Sequence, residues 1–256
     1  MDLGIRGKVA LVTGASAGLG AAVALALAAE GVQLALAARR QDKLLEVAER
    51  ARAAGASEVR AFKVDLADRP SIRVMLDGVN DAFGNVDVLV ANGGGPRQGT
   101  YGQTAPADWD AAYQTTLRAM LDLIDGVVPS MRDKRWGRIV ALTSTAVRQP
   151  IPNLVLSNAF RTALVAALKT LSGEIARDGI TVNAIATGRV ATDRLRELYG
   201  TDEEMSRAAE REIPIGRVAS PQEFAPLVAF LCGEGARYVT GQTIAIDGGL
   251  IRGIFG

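Results

Sequence analysis

Three glycines near the N-terminus have the spacing expected of a phosphate-binding loop. The segment TGASAGLG (13 to 20) places Gly14, Gly18 and Gly20 in a Gly-x-x-x-Gly-x-Gly pattern, between an apolar run and a helical segment. Such glycines permit a tight turn, let the backbone approach a pyrophosphate and allow close helix–strand packing. A helix start adds unpaired N–H groups and a positive dipole end. The pattern predicts a dinucleotide site, with a tight turn that binds nothing as the alternative.

Two arginines select between the two nicotinamide dinucleotides. Arg39 and Arg40 directly follow the second apolar run, and the first carboxylate after that run is Asp42. An acidic residue at this place bonds the ribose hydroxyls of NAD, whereas a guanidinium pairs with the 2′-phosphate of NADP. The arginine pair favours NADP(H). A solvated basic pair at a strand end remains the alternative.

Several kinds of chemistry are excluded by composition. Histidine is absent and Cys232 is the single cysteine. Without an imidazole, Ser-His-Asp catalysis, Cys-His catalysis and the commonest zinc sites are ruled out, and we predict no metal site. Cys232 at a helix end is interpreted as a small buried core residue. The net charge of +1 argues against nucleic acid or an anionic membrane as a partner.

Short apolar runs alternate with longer helical segments along the chain. The predicted helices lie at 18–30, 41–54, about 69–83, 106–131 and 153–177. The seven predicted strands lie at 8–14, 32–38, 58–65, 86–92, 137–144, 180–186 and 242–249. This alternation implies right-handed βαβ crossovers and one parallel sheet covered on both faces. We predict a single α/β, Rossmann-type doubly wound domain over residues 1–256, with an irregular insertion at about 188–219.

The overall composition is that of an ordinary globular protein. Apolar residues make up 48% and charged residues 22% of the 256 residues. The N-terminus has no signal-peptide pattern, and Glu30 and Arg39 interrupt the longest apolar stretches. We expect a soluble cytoplasmic protein that does not enter a membrane.

The motifs taken together resemble the short-chain dehydrogenase/reductase family over nearly the whole chain. They are TGASAGLG, Asp65-Leu66, ANGGGP (91 to 96), IVALTS (139 to 144), GITVNAIATG (179 to 188) and VTGQTIAIDGG (239 to 249). Within the family, the chain is most similar to the branch around 3-oxoacyl-acyl-carrier-protein reductases. The resemblance implies a nicotinamide cofactor and a homotetramer, with a homodimer as the alternative.

The resemblance also implies roles by position. Asp65 and Leu66 are expected beside the adenine, Asn92 and Gly93 beside the ribose, and residues 187 to 192 along the nicotinamide. The complete set of predicted cofactor-binding residues is Gly14, Ser16, Gly18, Leu19, Gly20, Arg39, Arg40, Asp65, Leu66, Asn92, Gly93, Gly94, Arg161, Gly188, Val190 and Thr192.

The catalytic positions depart from the family's usual Asn, Ser and Tyr-x-x-x-Lys. Ser144 fills the Ser position, Thr116 stands at the Asn position, and Ser157 and Arg161 replace the Tyr and the Lys. The segment PIPNLVLSNAFR resembles a variant group that carries Ser-Asn-x-x-Arg here. The catalytic candidates are therefore Ser144, Ser157 and Arg161. Serine is a weak acid and arginine stays protonated, so the expected role of Arg161 is electrostatic stabilisation of an alkoxide.

Three functions remain open at this point. The first is an NADP(H)-dependent oxidoreductase acting on a small carbonyl/alcohol pair, with 3-oxoacyl thioesters among its candidate substrates. The second is a non-catalytic NADP-binding sensor or scaffold. The third is a non-redox lyase or isomerase in which Arg161 stabilises an enolate.

Side chains outside the motifs offer further candidates. Tyr199, within the 188–219 insertion, is a candidate replacement for the missing tyrosine, although a packing or surface aromatic is the favoured interpretation. Arg148 and Arg189 flank the expected cleft and are candidates for binding an acidic substrate group. Solvated arginines are the favoured interpretation there.

Overall fold

The computed structural model describes residues 2–254 and contains a seven-stranded sheet in which every neighbouring pair is parallel. The strand order is β3-β2-β1-β4-β5-β6-β7. The strands are β1 (Val9–Thr13), β2 (Gln33–Ala38), β3 (Glu58–Lys63), β4 (Val88–Ala91), β5 (Gly137–Leu142), β6 (Ile180–Thr187) and β7 (Thr243–Ile246). The predicted doubly wound sheet is confirmed.

Helices cover both faces of the sheet. They are α1 (Gly18–Ala28), α2 (Gln41–Ala54), α3 (Arg69–Phe83), α4 (Pro106–Ala112), α5 (Ala119–Lys134), α6 (Val155–Ile175), α7 (Asp193–Tyr199), α8 (Asp202–Glu212) and α9 (Pro221–Leu231). One core cluster joins the sheet to α1, α2 and α9. A second joins it to α3, α5 and α6. Because both faces are covered, the central strands β1, β4 and β5 are buried at every position and show no polar alternation.

The strand order sets the place of a binding site. The chain runs outward from β1 to β3 on one side and from β4 to β7 on the other, so the connections after β1 and β4 diverge. A crevice forms at such a point, outside the carboxyl ends of the strands. The glycine loop and the ANGGGP segment both leave the sheet there.

Two predicted segments differ in the structure. The helix predicted over 106–131 is interrupted by a π-helical stretch over Tyr113–Arg118, between α4 and α5. The tract at 188–219, predicted to be irregular, contains α7 and α8. Their N-termini are capped by Thr192 and Thr201, whose hydroxyls accept hydrogen bonds from Leu195 N and Glu204 N at 3.3 and 3.1 Å. These helices were missed because both are short. The cap residues Thr192 and Thr201, and the buried face of α8 formed by Met205, Ala208 and Ala209, are signals that could have revealed them.

Among residues 2–254, no helix combines the length and the apolar character needed to cross a membrane.

Candidate cofactor and active site

A cleft of about 980 Å³ lies at the carboxyl ends of the central strands. The structure brings to it almost every residue predicted from the sequence to bind the cofactor or to catalyse. Those that line it are Gly14, Ser16, Gly18, Leu19, Arg39, Arg40, Asp65, Leu66, Asn92, Gly93, Gly94, Ser144, Ser157, Arg161, Gly188, Val190 and Thr192. Gly20 is the exception, because it is buried beneath the loop.

The glycine loop is tightly folded against itself. Gly14 and Gly18 have φ of +60° and +54°, a left-handed conformation that side chains disfavour. A Cβ on Gly20 would lie 2.3 Å from the Gly14 carbonyl oxygen. Helix α1 starts at Gly18, carries no acidic residue in its first turn and has no side-chain cap. Its first N–H groups and its positive dipole end therefore suit the phosphates of a dinucleotide.

Asn92 holds the loop in place from the neighbouring strand. Its side-chain amide donates to the carbonyl oxygens of Thr13 and Gly14 at 3.3 and 3.4 Å. In return, the Thr13 hydroxyl donates to the Asn92 carbonyl at 2.7 Å, and the Asn92 N–H donates to that hydroxyl at 2.9 Å. The side chain expected beside the ribose thus joins the ends of β1 and β4. Its role in the structure is to position the glycine loop.

The arginine pair lies in the part of the cleft beside the glycine loop. Arg39 and Arg40 follow β2 and are both exposed. The Arg40 guanidinium donates to the Ser16 hydroxyl at 3.4 Å, a long hydrogen bond that leaves most of its donors available. Both side chains can accept a phosphate beside the glycine loop.

The three catalytic candidates meet at the other side of the cleft. Ser144 follows β5 and its oxygen accepts from Ala146 N at 3.1 Å, which leaves its O–H available to donate. Ser157 lies in α6 and is buried. Arg161, one turn further along α6, donates to the Leu142 carbonyl at 3.0 Å. One guanidinium and two hydroxyl groups therefore line the same cleft.

Arg161 is charged at neutral pH despite its environment. Burial, and to a smaller extent the nearby positive charge of Arg194, together lower the pKa of its guanidinium to about 10. Protonation is complete well below that value. The side chain therefore serves as a fixed cation in the cleft and does not donate its proton at pH 7.

Asn158, the second residue of the Ser-Asn-x-x-Arg segment, binds the loop that precedes α6. Its amide donates to the Ile151 carbonyl at 3.0 Å, and its side-chain oxygen accepts from Ile151 N at 3.2 Å. This reciprocal pair closes the loop before α6. It fixes the position from which Ser157 projects.

Thr116, at the position of the family's Asn, is not in the cleft. It is buried within the π-helical stretch, and its hydroxyl has no hydrogen-bond partner among the described residues. The preceding residue, Thr115, lines the cleft instead. The extra residue per turn of a π-helix frequently occurs at functional sites.

The candidates outside the motifs have structural roles. Arg189 is half-buried, forms an ion pair with Glu212 and lies over the Tyr199 ring at 5.3 Å from its centroid. Tyr199 does not line the cleft. Arg148 donates to the Thr243 carbonyl at 2.8 Å and is also outside it. The favoured interpretation of Arg189 as a solvated side chain was wrong, because the ion pair and the aromatic ring enclose it.

Three charged residues of the cleft, all in α7, were not predicted from the sequence: Asp193, Arg194 and Glu197. Of these, Arg194 donates to the Pro96 carbonyl at 2.9 Å. Its contact joins the insertion to the loop after β4. No spacing rule pointed to Arg194, because its place depends on a helix that the sequence pattern did not show.

The parallel sheet, the glycine loop where the connections after β1 and β4 diverge, and the arginines beside it are typical of α/β proteins of the Rossmann type. The family model described as enoyl-(acyl carrier protein) reductase matches residues 14–251. A curated relative, 3-oxoacyl-(acyl-carrier-protein) reductase FabG of Staphylococcus epidermidis, is 35% identical over 95% of this chain and 98% of its own length. The chain belongs to the short-chain dehydrogenase/reductase family of oxidoreductases.

Solved structures of reductases are similar along the whole chain. L-sorbose reductase from Gluconobacter frateurii, complexed with NADPH and L-sorbose, superposes with a TM-score of 0.94 at 33% identity and covers 99% of this chain and 100% of its own. YwfH, an NADPH-dependent reductase involved in bacilysin biosynthesis, has a TM-score of 0.93 at 30% identity, with 97% and 100% covered. The similarity extends across the sheet and the cleft.

Proposed function

We propose that this protein is an NADP(H)-dependent oxidoreductase that acts on a carbonyl/alcohol pair at the cleft above β1, β4 and β5. The observation that carries the proposal is that one continuous cleft holds both the phosphate-binding features and the three catalytic candidates. The similar reductases crystallised with NADPH add support. A 3-oxoacyl thioester is a candidate substrate, suggested by the curated relatives.

The residues that would hold the cofactor fit its chemistry. The uncapped start of α1 and the glycine loop suit the pyrophosphate, and the absence of a Cβ at Gly14 and Gly20 lets the loop fold tightly against Asn92 and against itself. Arg39 and Arg40 suit the 2′-phosphate. When bound, the cofactor supplies hydride to a carbonyl carbon.

The chain itself supplies electrostatic stabilisation at the substrate oxygen. Arg161 places a positive charge in the cleft, and the hydroxyls of Ser144 and Ser157 can donate to the same oxygen as negative charge develops. None of the three is an acid matched to neutral pH, so the proton for that oxygen comes from water. Loss of a matched acid typically costs about 10²–10⁴-fold in rate. We therefore propose a slow reductase, or one restricted to substrates whose charge Arg161 stabilises well.

The insertion at 188–219 is proposed to act as the substrate lid. Its two ends are joined where Ala191 N donates to the Ala219 carbonyl at 2.8 Å and Ala219 N donates to the Arg189 carbonyl at 3.0 Å. Between them, α7 brings Arg194, Leu195 and Leu198 to the cleft wall. A segment anchored at its base and lining the cleft can shape the substrate pocket.

A binding measurement tests the cofactor half of the proposal without any choice of substrate. Fluorescence titration should give an NADPH affinity well above that for NADH. Arg39→Asp should reduce NADPH binding by about 10- to 100-fold, the value of a lost charge-assisted contact, and shift the preference toward NADH. No binding of either cofactor to the wild type would refute the proposal.

A turnover measurement tests the catalytic half. A screen of carbonyl compounds with NADPH should reveal reduction that Arg161→Ala lowers by at least about 100-fold in kcat, since an oxyanion-stabilising donor contributes about that much. Glu174→Ala, an exposed charged position on the same helix, is the control and should leave kcat unchanged. A wild-type kcat in Arg161→Ala would show that Arg161 takes no part in the reaction.

A non-catalytic NADP-binding role is the second candidate. The observation that favours it is that no tyrosine among residues 2–254 lines the cleft. Selective NADPH binding without reduction of any carbonyl in the screen would favour this role. The homotetrameric state and the cytoplasmic location stay predictions from the resemblance and the composition; light scattering tests the first.

A further inference from the structure

The guanidinium of Arg161 has fewer partners than its charge requires. Its hydrogen bond to Leu142 O uses one of five N–H donors. Among the residues that the structure describes, no carboxylate forms an ion pair with it. A charge withdrawn from water is costly unless an opposite charge or a set of hydrogen bonds replaces the solvent. The chain supplies one such hydrogen bond, and Arg161 lines the cleft, where a ligand that displaces water must replace the solvent around its charge.

A second cation makes the surroundings of Arg161 more positive. Arg194 projects from α7 into the same cleft, and its charge disfavours the protonated form of Arg161. The carboxylate nearest to Arg194 is that of Glu197, at 3.6 Å, where both side chains are largely exposed. An exposed pair of this kind is weak. Asp193 and Glu197 also line the cleft, but the charge that acts on Arg161 is that of Arg194. The surroundings of the Arg161 guanidinium are therefore locally positive and suit an anion.

The cofactor's phosphates are too far away to supply that anion. Arg161 is held at the end of β5, whereas the glycine loop follows β1 and the arginine pair follows β2. With adjacent strands about 4.8 Å apart, β5 lies roughly 10 Å from β1 and roughly 14 Å from β2. An ion pair requires about 4 Å or less. The anion at Arg161 must come from the other occupant of the cleft.

We propose that the substrate carries a carboxylate, which Arg161 binds with the help of the charge of Arg194, while the Ser144 and Ser157 hydroxyls remain available to the carbonyl oxygen. The substrate class is then a small oxo acid or its hydroxy acid, which takes the place of the 3-oxoacyl thioester named above as the candidate substrate. This inference rests on the proposed function for the identity of the reaction. It does not depend on it for the existence of the anion site, which belongs to the chain's own residues.

Carboxylates without a reducible carbonyl test the site by binding alone. Calorimetry compares acetate, butyrate and hexanoate with acetamide, butyramide and hexanamide, each titrated into the NADPH-loaded protein. At least one carboxylate should bind about 30-fold or more tightly than its uncharged amide, the value of a buried charge pair. Equal affinities across all three pairs would overturn the proposal.

Two variants assign the preference to Arg161. Arg161→Gln keeps hydrogen-bonding capacity without the charge and should abolish the carboxylate preference. Arg73→Gln, an exposed arginine on α3 outside the cleft, should retain it. Preference that survives in Arg161→Gln would overturn the assignment. If circular dichroism shows Arg161→Gln to be unfolded, Arg161→Lys keeps the charge and should retain at least part of the preference; complete loss there would also overturn it.

The outcome is separable from that of the proposed function. The same titrations without cofactor should show the same preference, because the positive surroundings of Arg161 exist in the free chain. A protein that binds butyrate over butyramide but does not bind NADPH would refute the proposed function and keep the anion site. A protein that binds NADPH but shows no carboxylate preference would keep the proposed function and refute the anion site.

Discussion

Gly20 and Gly173 allow one substitution to be tested at two helical positions with opposite expected results. Both glycines lie in α-helices, where alanine is favoured over glycine by about 0.8–1 kcal/mol. At Gly173, an added Cβ would have no neighbour within 4 Å. Gly173→Ala should therefore raise the free energy of unfolding by about 1 kcal/mol. In a chain of this size, that corresponds to roughly 2–4 °C in Tm.

At Gly20 the same methyl group meets backbone. The added Cβ would lie 2.3 Å from the Gly14 oxygen and 2.7 Å from its carbonyl carbon, whereas real Cβ atoms essentially never approach within 3.0 Å. The peptide after Gly14 must therefore move by about 0.7 Å. Overpacking of this kind costs about 1–3 kcal/mol, which exceeds or offsets the helical gain. Gly20→Ala should be neutral to about 2 kcal/mol less stable.

The larger effect is expected on the cofactor. The displaced peptide belongs to the loop whose N–H groups are proposed to bind the pyrophosphate, and loss of one hydrogen bond to a charged group costs about 10- to 100-fold in affinity. Fluorescence titration should show NADPH binding at least about 10-fold weaker in Gly20→Ala and unchanged in Gly173→Ala. Thermal unfolding of both variants measures the predicted changes in stability. If both variants gained stability equally and bound NADPH as the wild type does, the loop geometry argued above would be refuted.

Three further predictions concern the catalytic cleft and the core. Ser157→Tyr combined with Arg161→Lys should raise the reduction of small ketones by about 10²-fold if only a matched acid is missing; no gain would implicate Thr116 or the shape of the pocket. Turnover should stay level from neutral pH upward and decline as the pH rises through about 10. The reason is that burial and the charge of Arg194 together lower the pKa of Arg161 to about 10, and the side chain carries its charge only below that value. A loss of turnover centred near neutral pH would show that a different ionisable group controls the reaction. Burial raises the pKa of the Cys232 thiol to about 12, so a thiol reagent at pH 8 should label it only as the protein unfolds, and immediate labelling of the native protein would contradict its place in the core.

The sequence by itself determined the fold and predicted the kind of ligand. Seven apolar runs separated by helical segments leave few arrangements other than a parallel sheet, because crossovers are right-handed and both faces need cover. The sequence also showed the glycine spacing of the 13–20 loop and the position of Arg39. Both could be recognised because each is a local signal that depends on a few neighbouring residues. The family motifs placed Ser144, Ser157 and Arg161 by position alone.

Only the tertiary structure showed which charged side chains line the cleft. Arg194 reaches the cleft because α7 packs against the loop after β4, and Arg189 is removed from it by Glu212 and Tyr199. The π-helical stretch that buries Thr116 leaves no signature in side-chain periodicity. Whether an arginine pairs, packs or faces a ligand depends on residues far away in the chain. That information lies in the packing of elements, and not in the spacing of residues along one of them.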